Sequence, residues 1–136
     1  MNPLTNRKDK VEKENRIQRG EIYFVFLDPC FGKEIGGYKT RPVVVVSIDD
    51  IHQHTRLVTV VPGTSTNRSD EKSNLVLVRP DSNANGLREL TVFLCHQVRT
   101  IDQGRMTSRP VGRLSPADIL RVEKGLRFSL GLLGLH

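Results

Sequence analysis

The sequence predicts a small, mainly β domain: one strongly bent antiparallel sheet or barrel with a single helix at its C-terminal end. Three observations carry that expectation. From Gly20 onward, short apolar runs rich in Val, Ile, Phe and Leu alternate with clusters of Gly, Pro, Asn and Asp, the pattern of strands joined by turns. The apolar period changes to threes and fours only after Ser115, which marks one amphipathic helix. The chain is 136 residues long, enough for one core but not comfortably for two.

In chain order, strands are expected at Glu21–Leu27, Pro42–Ile48, Arg56–Val61, Asn74–Arg79, Leu90–Arg99 and Pro110–Leu114. The connection Asp28–Arg41 holds Pro29, Gly32, Gly36 and Gly37 and runs about fourteen residues without a period, long enough for a functional loop. A polar connector carries His52 and His54, both expected in solvent. The second long connection, Pro62–Ser73, contains Gly63, Thr64, Ser65, Thr66, Asn67 and Arg68, and the glycine is expected to end the preceding strand early. Alternation along Leu90–Arg99 sets His96 on the core side with Val92, Leu94 and Val98, and sets Gln97 and Arg99 with Phe93 and Cys95 on the other. Ser115, Pro116 and Asp118 supply an N-cap, a first-turn proline and a first-turn acid. The helix that follows buries a stripe of Ile119, Val122, Leu126, Leu130 and Leu133 and ends near Gly131 or Gly134.

Charge and composition remove several classes of function. The longest unbroken apolar run, Ile22–Leu27, is six residues, against roughly 18 for a membrane-spanning helix. Residues 1–19 are polar and lack the apolar segment of an export signal, so a soluble, cytoplasmic protein is expected. Cys30 and Cys95 are read as free thiols, and the spacing of His52, His54, Cys30 and Cys95 does not match a metal site. The formal charge is +6, from 21 Lys plus Arg and 15 Asp plus Glu. Residues 1–19 hold six of those cations and three acids, hence +3 of the +6, and are expected to form a disordered basic tail ahead of one domain at 20–136. A basic balance permits nucleic acid, an anionic surface or an acidic protein as partner.

Motifs then narrow the choice. Arg19-Gly20-Glu21-Ile22-Tyr23, Leu27-Asp28-Pro29, Gly32-Lys33-Glu34-Ile35-Gly36-Gly37 and Thr40-Arg41-Pro42-Val43-Val44-Val45-Val46 stand in order. They are followed by Val60-Val61-Pro62-Gly63-Thr64-Ser65, Gly86-Leu87, Gln97-Val98-Arg99-Thr100-Ile101-Asp102, Arg105, Leu114-Ser115 and Leu130-Gly131-Leu132. Over roughly residues 19 to 132 this series resembles the MazF/PemK toxins of type II toxin-antitoxin pairs. The resemblance implies an SH3-like barrel and a sequence-specific, metal-independent endoribonuclease that needs no cofactor. It further implies a homodimer, silenced by an antitoxin whose acidic or amphipathic segment occupies the RNA groove. Two features depart from the family pattern: Tyr38, Lys39 and Thr40 lie between the glycine pair and Arg41, and Gly63 stands where a larger apolar residue is usual.

By the same resemblance the catalytic residues are Arg41 and Thr64. Metal-free cleavage of single-stranded RNA uses the 2′-hydroxyl as internal nucleophile, which only RNA supplies, and it needs proton transfer plus donors aimed at the phosphorane oxygens. Arg41 suits the second task, because a guanidinium donates two parallel bonds to a phosphate but holds its proton near neutral pH. Thr64 offers a hydroxyl, with Ser65 beside it to share the work. Lys33, Tyr38 and Lys39 in the glycine-bearing loop add phosphate contacts and stacking, and Gln97 is the RNA-facing residue of its strand. Two other functions remain open: a protein-binding toxin of the gyrase-poisoning kind on the same fold, and an RNA-binding module without catalysis.

Overall fold

The computed structural model describes residues 16–65 and 72–132. Seven strands form one antiparallel sheet, β1 (Glu21–Val25), β2 (Arg41–Val45), β3 (Leu57–Thr64), β4 (Leu75–Val78), β5 (Thr91–Leu94), β6 (Arg99–Asp102) and β7 (Gly112–Arg113). Their spatial order is β4-β5-β3-β2-β1-β7, with β6 paired to β3 off that path. Among the described residues two helices accompany the sheet, α1 (Asp49–Thr55) and α2 (Pro116–Leu130). The expected mainly β architecture with a terminal helix is therefore the one observed.

β3 organises the sheet. Its first half pairs with β6 from Leu57↔Asp102 to Val60↔Arg99, and its last two residues pair with β5 as Gly63↔Phe93 and Thr64↔Val92. β2 runs along its other edge, Val43↔Pro62 to Val45↔Val60. One strand thus belongs to both halves of the sheet, so the sheet must curl where β3 passes from one partner to the next.

The curl gives the sheet two buried faces. Ile22, Val44, Val61, Val76, Phe93, Leu114 and Val122 form one core under α2. Tyr23, Val25, Leu27, Val43, Val45, Val58, Val60 and Ile101 form the other, capped by Ile17, Cys30, Ile35 and Met106. Burial on both faces explains the unbroken Val43–Val46 run, which a sheet with one wet face would have interrupted with polar residues.

α2 starts as its sequence requires. Ser115 Oγ accepts the Asp118 N–H at 3.1 Å, Pro116 fills the first turn, and Gly131 ends the helix at φ 70°, where a side chain would be strained. Val122 is buried, and Gly125 sits so close to Cys95 that an added Cβ would lie 2.6 Å from its Sγ. Leu130 leaves the expected stripe and is exposed; Leu133 lies outside the described residues.

Several expectations are corrected. β3 runs through Gly63 to Thr64 instead of ending early, because Thr91 and Phe93 already fill the space that a Cβ at residue 63 would take, at 2.7 and 3.1 Å. The polar connector is α1, and His52 is buried within it: its Nε2 meets Ser47 Oγ at 2.6 Å and its Nδ1 meets the Ile17 carbonyl at 3.1 Å. Leu90–Arg99 is not one strand. A 3-10 turn at Cys95–Gln97 separates β5 from β6, which breaks the alternation and turns His96 outward, where Nδ1 bonds the Asn74 amide at 2.7 Å. Within the segment expected as a tail, Ile17 packs on the second core and Arg19 Nε donates to the Val46 carbonyl at 3.0 Å; residues 1–15 lie outside the described residues.

Candidate active site

Arg41 opens β2 at the end of the long loop from β1. Its Nε donates to the Gly36 carbonyl at 2.9 Å, and among the described residues its terminal nitrogens have no hydrogen-bond partner. The guanidinium is thus tethered by one edge and offers the other. Gly36 cannot be larger: a Cβ there would lie 2.5 Å from Cys30 Sγ and 2.7 Å from Asp28 Oδ1. Gly37, at φ 115°, donates its N–H to Asp28 Oδ1 at 3.0 Å.

Beside Arg41 lies a cavity of about 210 Å³ whose wall includes Lys39, Arg41 and Arg88, Glu89, Ser65 and Phe24. Among the described residues three cations face one carboxylate, a balance that favours an anion, Phe24 adds an apolar surface, and no histidine lines the cleft. Among the described residues, no group of three or more His, Cys, Asp or Glu is placed to hold a metal ion.

The other expected site residues separate into distinct settings. Thr64 ends β3 with 1% exposure, while Ser65, one residue on, is exposed and reaches the cavity. Lys33 and Tyr38 are exposed on the loop with Lys39, Tyr38 fully so. Gln97 stands apart from this group. Its Oε1 accepts the Ile35 N–H at 2.6 Å and its Nε2 donates to the Lys33 carbonyl at 3.3 Å, so both amide atoms are engaged with loop backbone.

Two further arginines hold the stem of the same loop. Arg99 donates to the Leu27 carbonyl at 3.0 Å, and Arg105 donates to the carbonyls of Phe26 and Asp28 at 2.8 and 2.7 Å. Neither was singled out as a site residue from sequence, although both fall within the quoted motifs. Arg88 and Glu89 were also missed. They follow Leu87 in a turn-rich segment, and no periodic signal links them to Arg41.

A curled antiparallel sheet with a terminal helix and a cationic cleft beside a tethered arginine defines a small β-barrel protein suited to a polyanionic ligand. The comparison with known proteins is more specific: residues 18–130 match the family described as PemK-like, MazF-like toxin of type II toxin-antitoxin system, and the chain belongs to it. Endoribonuclease EndoA of Bacillus subtilis is 31% identical over 118 residues, 86% of this chain and 97% of that protein. A probable endoribonuclease MazF of Mycolicibacterium smegmatis is 34% identical over 119 residues, 87% of this chain and all of that one. An endoribonuclease from a mycobacterial species, solved in complex with its cognate antitoxin, shares the fold with a TM-score of 0.67 at 23% identity, covering 87% of this chain and 98% of that chain.

Proposed function

We propose that this chain is the toxin of a type II pair and acts as a sequence-specific, metal-independent endoribonuclease on single-stranded RNA. Arg41 is the observation that carries the reading. It is tied back through Nε, its terminal nitrogens are without a partner among the described residues, and it stands on the wall of a cleft that also holds Lys39, Arg88 and Ser65. That edge can donate two parallel bonds to the non-bridging oxygens of a phosphodiester. In the reaction the 2′-oxygen loses its proton and bonds to the adjacent phosphorus, while the bond to the 5′-oxygen breaks and that oxygen takes a proton. The products are a 2′,3′-cyclic phosphate and a 5′-hydroxyl. Charge grows on the equatorial oxygens during this exchange, and a guanidinium already in place stabilises it without reorganising.

Arg41 and Thr64 carry the chemistry in this reading. Ser65, Lys33, Lys39 and Tyr38 bind the strand. The protein works as a homodimer in the cytoplasm, and an acidic segment of its antitoxin covers the cationic cleft, as opposite charge favours.

The test uses purified protein and defined single-stranded RNA in EDTA. Wild type is expected to give discrete products, and Arg41→Ala to cleave about 100-fold more slowly or worse. Intact RNA with wild type, or equal cleavage by the variant, would refute the assignment. Gel filtration of the same preparation, alone and with its antitoxin, reports the assembly: a monomer that never shifts would exclude both the dimer and the complex.

A further inference from the structure

We propose that Gln97 is a positioning residue whose amide latches the Asp28–Arg41 loop, so that the Gly36 carbonyl holds Arg41 at the cleft. The proposal rests on the endoribonuclease reading. It gives Gln97 a role other than touching RNA.

The geometry forms a continuous chain. Gln97 ends the 3-10 turn that follows β5, and the turn is itself anchored by the Cys95 N–H on the Asn74 carbonyl at 2.9 Å and the Val98 N–H on the Cys95 carbonyl at 3.3 Å. From that fixed point Oε1 takes the Ile35 N–H at 2.6 Å, and Nε2 reaches the Lys33 carbonyl at 3.3 Å. The next residue along the loop is Gly36, which accepts Arg41 Nε at 2.9 Å, and the one after it is Gly37, whose N–H is held by Asp28 at 3.0 Å. The peptide that presents the Gly36 carbonyl is therefore pinned on both sides, by Gln97 and by Asp28. Cys30 and Asp28 close the space behind Gly36, so the loop has no slack once both pins are set.

An amide that reads a base needs its donor and acceptor free for that base's edge. In Gln97 each of the two amide atoms spends one of its two hydrogen-bonding positions on backbone 62 and 64 residues away in sequence, which fixes the direction of the amide toward the loop. A misplacement of about 1 Å in a catalytic group can cost roughly 100-fold in rate. Loss of the latch should accordingly appear in turnover and not in substrate affinity.

The discriminating pair is Gln97→Leu and Gln97→Glu, made in the full chain and checked for folding by circular dichroism. Glutamate keeps the acceptor for the Ile35 N–H but sets a carboxylate oxygen in place of the donor to the Lys33 carbonyl, whereas leucine loses both bonds; a residue that touches RNA would tolerate the added negative charge worse than leucine. Single-turnover cleavage should fall about 10-fold or more for Gln97→Leu at nearly unchanged KM and fall clearly less for Gln97→Glu, which keeps the shorter of the two bonds. Limited trypsin digestion at Lys33 and Lys39 should be several-fold faster in Gln97→Leu than in wild type. A rise in KM alone, a Glu variant as impaired as the Leu variant, or identical digestion rates would overturn the latch. If wild type fails to cleave RNA, it is the endoribonuclease reading that falls, and the digestion rates still decide whether Gln97 holds the loop.

Discussion

Thr64 and Ser65 are adjacent in sequence yet occupy opposite environments, the first 1% exposed at the end of a strand and the second exposed at the cleft. A hydroxyl role for Thr64 makes a sharp prediction, because valine has the same shape without the oxygen. Thr64→Val should lose at least 10-fold in RNA cleavage while Thr64→Ser stays near wild type, with melting curves run alongside to separate lost activity from lost folding. Equal activity in both variants would move the chemistry to Ser65. At this scale the sequence was informative through residue type. Arg41, Ser65 and Lys39 line one cavity, whereas Thr64, Lys33, Tyr38 and Gln97 are not among its lining residues. Histidines were less legible. His52 lies in a polar stretch but is drawn inside by Ser47 and the Ile17 carbonyl, partners that local pattern does not reveal.

Elements were legible where their signals are local. The α2 cap is an example, since Ser115, Pro116 and Asp118 act on their own turn. Ser115→Ala removes the oxygen that accepts the Asp118 N–H and should cost about 1 kcal/mol in urea unfolding with little change in cleavage rate. A loss several times larger would mean that the cap also fixes how α2 lies on the sheet. The strand expected over Leu90–Arg99 shows the opposite case. Period-two alternation holds only while the backbone stays extended, and the 3-10 turn at Cys95–Gln97 resets it. That reset is what aims Gln97 at the loop. Gly63 likewise suggested a strand end, but its missing side chain leaves room for Thr91 and Phe93 from the neighbouring strand, a packing fact with no trace in the local sequence.

At the scale of the whole molecule, two cores on one curled sheet leave some titratable groups away from water. Burial pushes the Cys95 thiol up from its ordinary value of 9.0 to about 11. Burial also raises the Tyr23 phenol, helped by the Glu21 carboxylate that accepts its hydroxyl at 3.1 Å. Both acids are uncharged when protonated and hold their protons more tightly in the folded state. The stability they contribute is complete below the unfolded value and falls as pH rises through the folded one. For Cys95 that window runs from 9.0 to about 11. Urea unfolding across it should show a loss of roughly 2 to 3 kcal/mol from this group, and Cys95→Ala should remove that part of the slope. An identical slope in the variant would assign the alkaline loss elsewhere.

Composition and pattern by themselves determined the class of fold, the terminal helix and its cap, the long glycine-bearing loop, and the residue types suited to a phosphate. These depend on period, turn chemistry and charge, all of which are written within a few neighbouring residues. Only the tertiary structure decided which of those residues meet. It placed Arg88 and Glu89 beside Arg41, buried Thr64 next to an exposed Ser65, and brought Gln97 across 62 residues to the loop that holds the arginine. The reason is physical: a contact between distant segments is set by the curl and register of the sheet as a whole, through β3, and not by any segment's own preference.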